Sequence, residues 1–411
     1  MTRVLVTGLG ILSPIGNCVD EFWRNLTAGV SGIGPITAFD ASSMKVRIAG
    51  EVKGFDPTAW MDHKKARHMD RFAQFAVAVC KMAVQDANLT ISEANAEDIA
   101  IVMNTGGGGI QAVAEETEQI ARKGVNRVNP FFVPIMIPSM ASCQPSILLG
   151  VRGPVLTSVA ACASGTMAVV EALRLLRSGE ASVAIAGGTE SVMHPLSFSG
   201  LANMRALSRR NDEPTRASRP FDRDRDGFVF GEGAGAIVME TEAHARARGA
   251  RVYAEVAGGS ITGDAWHITE PEPTGRGAIL AMNRALKDAG MTPAEIDYIC
   301  AHGTATYLND MTETRAIKSV FGERAYSIPI SSPKSMVGHL LGAAGAISTT
   351  ACIKAINDGV VPPTINLDTP DPACDLDYVP HTARRHPVGA AMANGFGFGG
   401  QNAVVIYKRA L

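Results

Sequence analysis

The chain has 411 residues, of which 46% are hydrophobic and 19% are charged, a composition that is typical of a well-packed globular protein. Its formal net charge of -2 gives no electrostatic reason to expect nucleic-acid binding, and no apolar run approaches the ~20 residues that a membrane span requires. A chain of this length exceeds what one simple core holds, which predicts two domains or two fused halves.

The cysteines and the N-terminus indicate a reducing compartment. The 7 cysteines are scattered singly, with no C-x-x-C pair and no Cys/His spacing of the kind that binds metals. The first residues run directly into a strand pattern, without the features of a signal peptide. We therefore expect a cytoplasmic protein with no metal site.

In the first 250 residues, short strand-like runs alternate with longer helical ones, as in layered α/β proteins. The predicted strands cover residues 4–6, 99–103, 154–159 and 183–186. The predicted helices cover residues 21–28, 71–87, 110–122 and 167–177.

The same alternation starts again after position 250. The predicted strands there cover residues 252–256 and 296–301, and the predicted helices cover 277–289, 311–321 and 342–357. We therefore predict two similar halves of unequal size, residues 1–250 and 251–411. Since no long linker separates the halves, we expect them to share a large interface.

Two glycine-rich segments lack the other residues of a nucleotide site. The segment 8–10 follows a strand but has neither the third glycine nor the helix that would receive a pyrophosphate. The run 106–109 has no Lys-Ser/Thr partner and is therefore not a phosphate loop. We expect no nucleotide cofactor.

Cys162 lies between a predicted strand and a predicted helix. A thiol at such a turn sits at a helix N-terminus, where the macrodipole and the free backbone N–H groups favour a thiolate. We therefore expect its pKa to lie below the usual value of about 8.5, and the same N–H groups could hold an oxyanion. The alternative is an inert, buried structural cysteine.

Two histidines and a lysine occupy positions that suit catalysis. His302 directly follows a predicted strand, and α/β sheets place catalytic groups at the C-terminal ends of strands. Lys334 and His339 lie just ahead of a predicted helix. Either histidine alone is more often a structural residue, but the combination with Cys162 favours a catalytic set.

A glycine-aromatic loop follows near the C-terminus. Phe398 stands between Gly397 and the pair Gly399-Gly400, and Phe396 precedes them. Such a loop is usually an ordinary turn. Glycines on both sides of an aromatic residue also suit a mobile flap.

Together, the contexts of the cysteine, the histidines and the lysine resemble the β-ketoacyl-acyl-carrier-protein synthases, the elongating condensing enzymes of type II fatty-acid synthesis, and most closely their synthase II branch. The similarity covers essentially the whole chain, and the runs 219–222 and 361–368 also fit the family. The resemblance implies a thiolase-like α/β fold, a five-layered α-β-α-β-α sandwich of two similar βαβαβαββ halves that works as a homodimer. The N-terminal half would supply Cys162, and the C-terminal half His302 and His339.

The resemblance also implies a decarboxylative Claisen condensation that needs no metal or organic cofactor. Cys162 would accept an acyl group, because sulfur is both a good nucleophile and a good leaving group. His302 and His339 would donate N–H bonds to the enolate that forms when malonyl-acyl carrier protein loses CO2. The backbone N–H groups of Cys162 and Phe398 would hold the tetrahedral oxyanion, beside a gate that Gly397, Gly399 and Gly400 complete.

Further roles follow from the same resemblance. Lys334 would fix the local charge and tune His339, with Glu313 as a charged neighbour, because buried charges are tolerable only when they are paired. The positions expected to contact the pantetheine arm or the acyl chain are Thr304, Thr306, Thr269, Phe396 and Gly107.

Three positions depart from the family pattern. Ala163 stands where many relatives carry Thr or Ser, and Tyr307 replaces a proline at the expected pantetheine entrance. Gly107 stands where synthase II has a bulky isoleucine. The glycine leaves the acyl chain-length preference open between synthase II-like and synthase I-like behaviour.

The carrier protein of this family is strongly acidic, so the resemblance implies a basic docking face. Lys64, Lys65, Arg67 and Arg205 are the candidates, although such a cluster is usually only a solvated surface. Three alternatives to a fatty-acid synthase are a polyketide ketosynthase, a non-catalytic partner subunit and a thiolase that acts on coenzyme A. The presence of Cys162 argues against the second, and the Cys-His-His set argues against the third.

Overall fold

Fourteen strands and thirteen α-helices make up the regular structure of residues 2–410 in the computed structural model. Within this range no helix combines the length and the apolar character that crossing a bilayer requires. The strands are β1 (Val4–Leu12), β2 (Ile33–Pro35), β3 (Ile48–Gly50), β4 (Ile99–Asn104), β5 (Val155–Leu156), β6 (Val183–Glu190), β7 (Gly233–Thr241), β8 (Ala254–Gly263), β9 (Tyr298–Cys300), β10 (Ile330–Ser331), β11 (Val360–Val361), β12 (Arg384–Arg385), β13 (Ala390–Gly397) and β14 (Gln401–Lys408). The helices are α1 (Val19–Thr27), α2 (His63–Ala66), α3 (Arg71–Asp86), α4 (Ile110–Lys123), α5 (Phe132–Met136), α6 (Met140–Leu149), α7 (Ser164–Ser178), α8 (Pro195–Asn203), α9 (Glu242–Ala247), α10 (Arg276–Ala289), α11 (Tyr307–Phe321), α12 (Lys334–Val337) and α13 (Ala344–Asp358).

The large mixed sheet has ten strands and repeats one topology twice. Its strand order is β5-β4-β6-β7-β1 through the first half of the chain and β10-β9-β13-β14-β8 through the second. In each half the first three strands of this order run parallel to one another. The fourth strand runs antiparallel to the third, and the fifth runs antiparallel to the fourth. The residue pairs Leu5↔Glu255 and Val6↔Ala254 join β1 to β8. The sequence pattern that starts again after position 250 is thus one five-stranded topology used twice.

The two halves meet through a central layer that consists of α7 and α13. Both helices are buried on most of their surface, as expected for helices that are apolar all round. Glycines allow their close approach. A Cβ at Gly345 would lie 2.1 Å from the nitrogen of Thr166, and a Cβ at Gly165 would lie 2.8 Å from the oxygen of Gly342.

Helices also cover the two outer faces of the sheet. On one side, α3 buries Phe72, Phe75 and Val79 in an apolar cluster with residues of β1, β4, β6 and β7. On the other side, α10 and α11 bury residues such as Met282 and Ile317 in a cluster with β8, β9, β13 and β14. The layers therefore follow the order α-β-α-β-α, which confirms the implied sandwich.

The elements differ from the predicted ones in extent and in number. The predicted buried strand over 154–159 is wrong in extent, because only Val155–Leu156 pairs with β4 and Leu156 is 43% exposed. Side chains replace the strand ladder there: the Thr157 hydroxyl donates to the Met103 carbonyl, and the Ser158 N–H donates to the Asn104 side chain. Eight strands, β2, β3, β7 and β10 to β14, have no predicted counterpart. The predicted helix 311–321 begins earlier, at the first residue of α11.

Candidate active site

Cys162 lies in a one-turn 3-10 helix, Ala161–Ala163, that leads directly into α7. Ala161 has a φ of +47°, a left-handed backbone that costs an alanine free energy and persists only where its surroundings enforce it. The Ser164 hydroxyl enforces it by accepting from the Ala160 N–H (2.9 Å) and donating to the Ala161 carbonyl (2.8 Å). The strained turn places the thiol at the N-terminus of a central helix.

The thiol is not activated in the resting site. Cys162 is 5% exposed, and burial raises its pKa to about 11, although the backbone N–H of Phe398 and the charge of Lys334 act in the opposite direction. The carboxylate of Glu190 raises the pKa of this thiol further. The expectation of a lowered pKa is therefore wrong, because the second half of the chain covers the helix terminus and excludes water.

The loop between β13 and β14 passes close over Cys162. A Cβ at Gly397 would lie 2.6 Å from the carbonyl oxygen of Ala160, so the loop needs a glycine there. Phe398–Gly400 forms a 3-10 turn in which Gly399 and Gly400 have φ values of +77° and +71°. The backbone N–H groups of Phe398 and Cys162 both lower the pKa of the Cys162 thiol.

The loop between β13 and β14 is fastened to the segment that follows β8. The Gly399 N–H donates to the carbonyl of Ile268 (2.7 Å), and the Asp264 N–H donates to the carbonyl of Gly400 (2.8 Å). The Asn402 side chain donates to the Asp264 carboxylate (2.6 Å). Opening the loop would break these contacts together.

The second half of the chain supplies two histidines to the same site. Their rings are 5.4 Å apart between centroids and nearly perpendicular, at 84°. The Leu341 N–H donates to Nδ1 of His339 (3.3 Å), so the proton of a neutral His339 lies on Nε2. This Nε2 is buried, and the described residues offer it no hydrogen-bond partner. His339 thus has an N–H donor free for a bound substrate.

Both imidazoles are neutral at neutral pH. Burial lowers the pKa of His302 well below its usual value, and the charge of Lys334 and the neighbouring His339 lower it further. Burial and Lys334 lower the pKa of His339 in the same way. A neutral imidazole donates one N–H bond, which is the property that the resemblance to condensing enzymes implies.

Lys334 supports His302 through the backbone. Its ammonium is buried and donates to the carbonyl of His302 (2.6 Å), and burial lowers the pKa of Lys334. Glu313 does not bind this ammonium directly. It accepts from the N–H groups of His302 and Gly303 (2.8 Å each) and from the Asn394 side chain (3.1 Å). Lys334 therefore holds the carbonyl group of His302, and Glu313 holds the N–H group of the same residue.

One cavity of about 440 Å3 joins Cys162 to the surface. Its exposed lining residues, among them Arg205 and Tyr307, mark its open end. The Thr304 and Thr306 hydroxyls lie 2.9 Å apart. The sequence-predicted residues that line the cavity are Cys162, His302, His339, Glu313, Thr304, Thr306, Thr269, Phe396, Gly397, Phe398 and Arg205.

Other predicted residues lie outside this cavity. Gly107 is in the loop after β4, where its N–H donates to Glu190 (3.2 Å). Lys64 and Lys65 are exposed on α2, and Arg67 lines a separate cavity. The candidate docking cations are therefore divided between two places on the described monomer.

Arg225 is a charged residue of the cavity lining that the sequence analysis did not identify. Its side chain is fully buried and forms ion pairs with Asp371 (2.6 Å) and Asp310 (3.6 Å). Asp310 in turn accepts from the Thr304 N–H (3.0 Å). The ion pairs therefore shape the wall of the cavity, and the alternating charges at 222–226 are the sequence feature that could have indicated them.

Comparison with known proteins identifies the family. The β-ketoacyl synthase N-terminal domain model matches residues 1–245, and the corresponding C-terminal domain model matches residues 253–368. The chain belongs to the β-ketoacyl synthase family. Proteins named 3-oxoacyl-[acyl-carrier-protein] synthase 2 are 51% identical in Synechocystis sp., 46% in Coxiella burnetii and 47% in Staphylococcus aureus, each alignment covering 99% of this chain and 98% of the relative.

Solved structures of β-ketoacyl synthases share the architecture over the full chain. A synthase from Burkholderia phymatum is 34% identical with a TM-score of 0.93, and each chain is covered completely. A type II polyketide ketosynthase, solved in complex with its acyl-carrier protein, is 34% identical with a TM-score of 0.92 and the same coverage. Among residues 2–410, no group of three or more His, Cys, Asp or Glu residues is arranged to hold a metal ion.

Proposed function

We propose that this β-ketoacyl synthase elongates acyl chains of fatty acids by decarboxylative Claisen condensation, with Cys162, His302 and His339 as its catalytic residues. It joins an acyl group on Cys162 to malonyl-acyl carrier protein and yields 3-oxoacyl-acyl carrier protein and CO2. The observation that carries the proposal is that these three side chains line a single cavity, although they come from opposite halves of the chain.

The first step loads the acyl group onto the enzyme. The Cys162 sulfur attacks the thioester carbonyl, and its proton passes to the imidazole of His302, since the thiol is protonated at neutral pH and the unprotonated nitrogen of His339 already accepts from the Leu341 N–H. The oxyanion lies between the N–H groups of Cys162 and Phe398. Collapse of the tetrahedral intermediate expels the thiolate of the carrier protein, which takes up the proton and leaves.

The second step breaks the bond between the malonyl C2 and its carboxylate. The electron pair of that bond forms an enolate whose negative charge lies on the thioester oxygen. The Nε2–H of His339 and an N–H of His302 stabilise this oxygen, and one such donor is worth about 2.7–4 kcal/mol. C2 then attacks the acyl-Cys162 carbonyl and expels the Cys162 thiolate, which regains a proton.

Mass spectrometry of the intact protein tests this assignment. Incubation with a panel of acyl-carrier proteins should add one acyl group to Cys162 and reveal the preferred chain length. Cys162→Ala should abolish condensation while malonyl decarboxylation continues, because both histidines remain. A Cys162→Ala protein that still elongates would refute the mechanism.

A polyketide ketosynthase is the second candidate function. It is favoured by the full-length similarity to a type II polyketide ketosynthase and by Gly107 in place of the isoleucine of synthase II. The 46–51% identity to 3-oxoacyl-[acyl-carrier-protein] synthase 2 proteins favours fatty-acid elongation. Loading and extension of a poly-β-keto starter in preference to saturated acyl groups would decide for the polyketide pathway.

We infer a homodimer that assembles through the β5 edge of the sheet. An unpaired edge strand and a contiguous apolar surface both favour association. Large apolar side chains are exposed on the segments around β5, at Ile110, Ile120, Val125, Phe131, Val133, Ile147, Leu156 and Val159. Light scattering of Leu156→Lys should show a shift from dimer to monomer, and a wild-type monomer would refute the inference.

The carrier protein docks through Lys64, Lys65, Arg67 and Arg205, all of which are exposed. Arg205 at the cavity mouth is the residue best placed to test this. Arg205→Glu should raise the KM for malonyl-acyl carrier protein and leave the KM for a small malonyl thioester unchanged. Equal effects on both substrates would contradict a docking role.

The remaining assignments concern location and boundaries. All 7 cysteines are free, which supports a reducing, cytoplasmic location. The halves divide near 250/251, since the stretch between the end of α9 and the start of β8 has no helix or strand. Thr269, Thr304, Thr306 and Phe396 contact the pantetheine arm, and Gly107 lies beside the acyl chain.

A further inference from the structure

Glu190 is a buried carboxylate to which the proposed reaction gives no role. It is the last residue of β6, it is fully buried, and it does not line the active-site cavity. Its oxygens accept from the N–H groups of Gly106 (2.8 Å), Gly107 (3.2 Å) and Gly342 (3.0 Å) and from the Thr105 hydroxyl (3.1 Å). All of these donors are uncharged, and burying a carboxylate without a cation is costly, so burial raises the pKa of Glu190 to about 7 although the N–H groups of Gly342, Gly106 and Gly107 act in the opposite direction. The cost indicates a role beyond packing.

The N–H of Gly342 belongs to the turn that follows His339. Leu341 in this turn has a φ of +42°, a left-handed backbone that a residue with a side chain adopts only where neighbours hold it. Two successive N–H groups hold the turn: Leu341 donates to Nδ1 of His339 (3.3 Å), and Gly342 donates to Glu190 (3.0 Å). A shift of Gly342 would therefore move the N–H that fixes the tautomer of His339.

The contact between Glu190 and Gly342 depends on the missing side chain. A Cβ at position 342 would lie 2.4 Å from the nitrogen of Gly106 and 2.8 Å from the carbonyl carbon of Thr105. Because position 342 is a glycine, the loop after β4 lies close to the turn. The Glu190 carboxylate can therefore accept hydrogen bonds from the loop and from the turn at the same time. Glu190 thus connects a loop of the first half to the histidine-bearing turn of the second.

We propose that Glu190 is a positioning residue that holds the Leu341–Gly342 turn, so that the Nε2–H of His339 points at the enolate during decarboxylation. The inference rests on the proposed condensing reaction and extends it to a residue that touches no substrate. Glu190 acts through Gly342 and Leu341, whose hydrogen bonds form an unbroken path from the carboxylate to the imidazole.

The charge of Glu190 provides a second, independent readout. The charged groups that act on the pKa of the Cys162 thiol are Glu190 and Lys334, and the imidazoles of His302 and His339 line the same cavity. Of these, Glu190 raises the pKa of the thiol and Lys334 lowers it. Neutralising Glu190 should therefore ease deprotonation of Cys162 and at the same time impair decarboxylation. Loss of structure would also expose the thiol and lower its pKa, so the alkylation readout applies only to a variant whose circular dichroism spectrum matches the wild type.

Glu190→Gln tests the proposal in the full-length protein. The amide keeps the size of the side chain, but its NH2 group cannot accept from the backbone N–H groups that surround it. Decarboxylation of malonyl-acyl carrier protein should fall about 10-fold or more. This is less than the effect of losing one oxyanion donor, about 10²–10³ in kcat, because the variant only misaligns the donor. The pH midpoint of Cys162 alkylation by iodoacetamide should move to lower pH.

Two companion variants make the result specific. Glu190→Asp keeps the charge but is one methylene too short to reach Gly342, so decarboxylation should stay low while the alkylation midpoint returns to the wild-type value. Glu51→Gln is the matched control. Glu51 is a buried carboxylate that accepts from the N–H groups of Thr37 and Ala38 (2.9 Å each) and from the Thr37 hydroxyl (2.5 Å), away from the cavity lining. Its substitution should change neither readout.

A nuclear magnetic resonance measurement separates this inference from the proposed reaction. The 15N shift of Nδ1 in His339, assigned by comparison with His339→Gln, should be that of an unprotonated nitrogen in the wild type and should change in Glu190→Gln. Unchanged shifts and a decarboxylation rate within about twofold of wild type would overturn the positioning role. If Glu190→Gln does not fold by circular dichroism, Glu190→Asp decides by the same measurements. A wild type without decarboxylation would refute the proposed function, while the 15N shifts would still decide the role of Glu190.

Discussion

Replacing His339 by alanine removes one N–H donor from the cavity and leaves most of the protein's hydrogen bonds intact. Within residues 2–410 the imidazole makes a single hydrogen bond, the one that Nδ1 accepts from Leu341 (3.3 Å). Its Nε2 has no partner among the described residues. We therefore expect the variant to fold, with a loss of about 1–3 kcal/mol from the Leu341 N–H that remains buried without an acceptor.

The magnitude of the catalytic effect follows from the roles of the donors. Losing one donor to a developing oxyanion lowers kcat by about 10²–10³, or roughly 2.7–4 kcal/mol. Acyl transfer to Cys162 uses the N–H groups of Cys162 and Phe398 instead, so loading should change less than about 10-fold. His339→Ala should thus separate the two half-reactions, with decarboxylation much more affected than loading.

The assay measures both half-reactions on the same protein. CO2 release from malonyl-acyl carrier protein reports decarboxylation, and mass spectrometry of acyl-Cys162 over time reports loading. His339→Gln, which keeps an N–H donor, should recover part of the CO2 release. If His339→Ala releases CO2 at the wild-type rate, or if loading falls by the same factor, the assignment of His339 to the enolate is wrong.

The pH dependence of the same reaction has a definite sign. Burial lowers the pKa of both His302 and His339 well below the usual value, and the neutral imidazole is the form that the mechanism requires. The histidines should therefore add no titration step to CO2 release at their usual pKa of about 6.5, and the fall that they cause should come only when the pH approaches the lowered values. Burial raises the pKa of Glu190 to about 7, so a fall through about pH 7 in the wild type should disappear in Glu190→Gln. A rate that rises on acidification through this range would contradict the neutral-donor mechanism.

Three further predictions concern the thiol, the central helices and the acyl pocket. Because burial raises the pKa of Cys162 to about 11, iodoacetamide alkylation should keep accelerating above pH 9, and a plateau below pH 8 would contradict the buried thiol. Gly345→Val should lower the free energy of unfolding in urea by about 3 kcal/mol or more, since even a Cβ would lie 2.1 Å from the nitrogen of Thr166; wild-type stability would refute the close helix contact. Gly107→Ile should shift loading towards shorter acyl chains, because a Cβ there would already lie 3.1 Å from Val192; an unchanged preference in mass spectrometry would place the acyl chain elsewhere.

The parts of the site that the sequence predicts are those with a local signature. Cys162 at the start of a central helix and His302 beyond a strand end are recognisable from their immediate neighbours, and both line the cavity. The long amphipathic helix predicted over 71–87 matches α3, Arg71–Asp86, within one residue. These features depend on residues close in the chain, which is why a single sequence suffices.

The parts that the sequence does not predict depend on distant contacts. β7 begins Gly-Ala-Gly-Ala and is buried on both faces, so it has no alternation of polar and apolar residues to indicate a strand. The thiol pKa depends on burial by the second half, which the sequence near Cys162 does not report. Glu190 ends a strand, where a carboxylate is usually solvated, and its partner Gly342 lies in the other half of the chain.

The repeated topology suggests an ancestral duplication whose copies have since specialised. The turn Leu341–Ala343 stands before α13 as Ala161–Ala163 stands before α7, and each begins with a positive φ. Gly342 therefore occupies the position that corresponds to Cys162. A cysteine there would push its Cβ to within 2.4 Å of the nitrogen of Gly106. The second copy can therefore no longer acquire a nucleophile by point mutation. Each chain has one reaction centre, in which the first copy supplies the sulfur and the second copy supplies the proton donors.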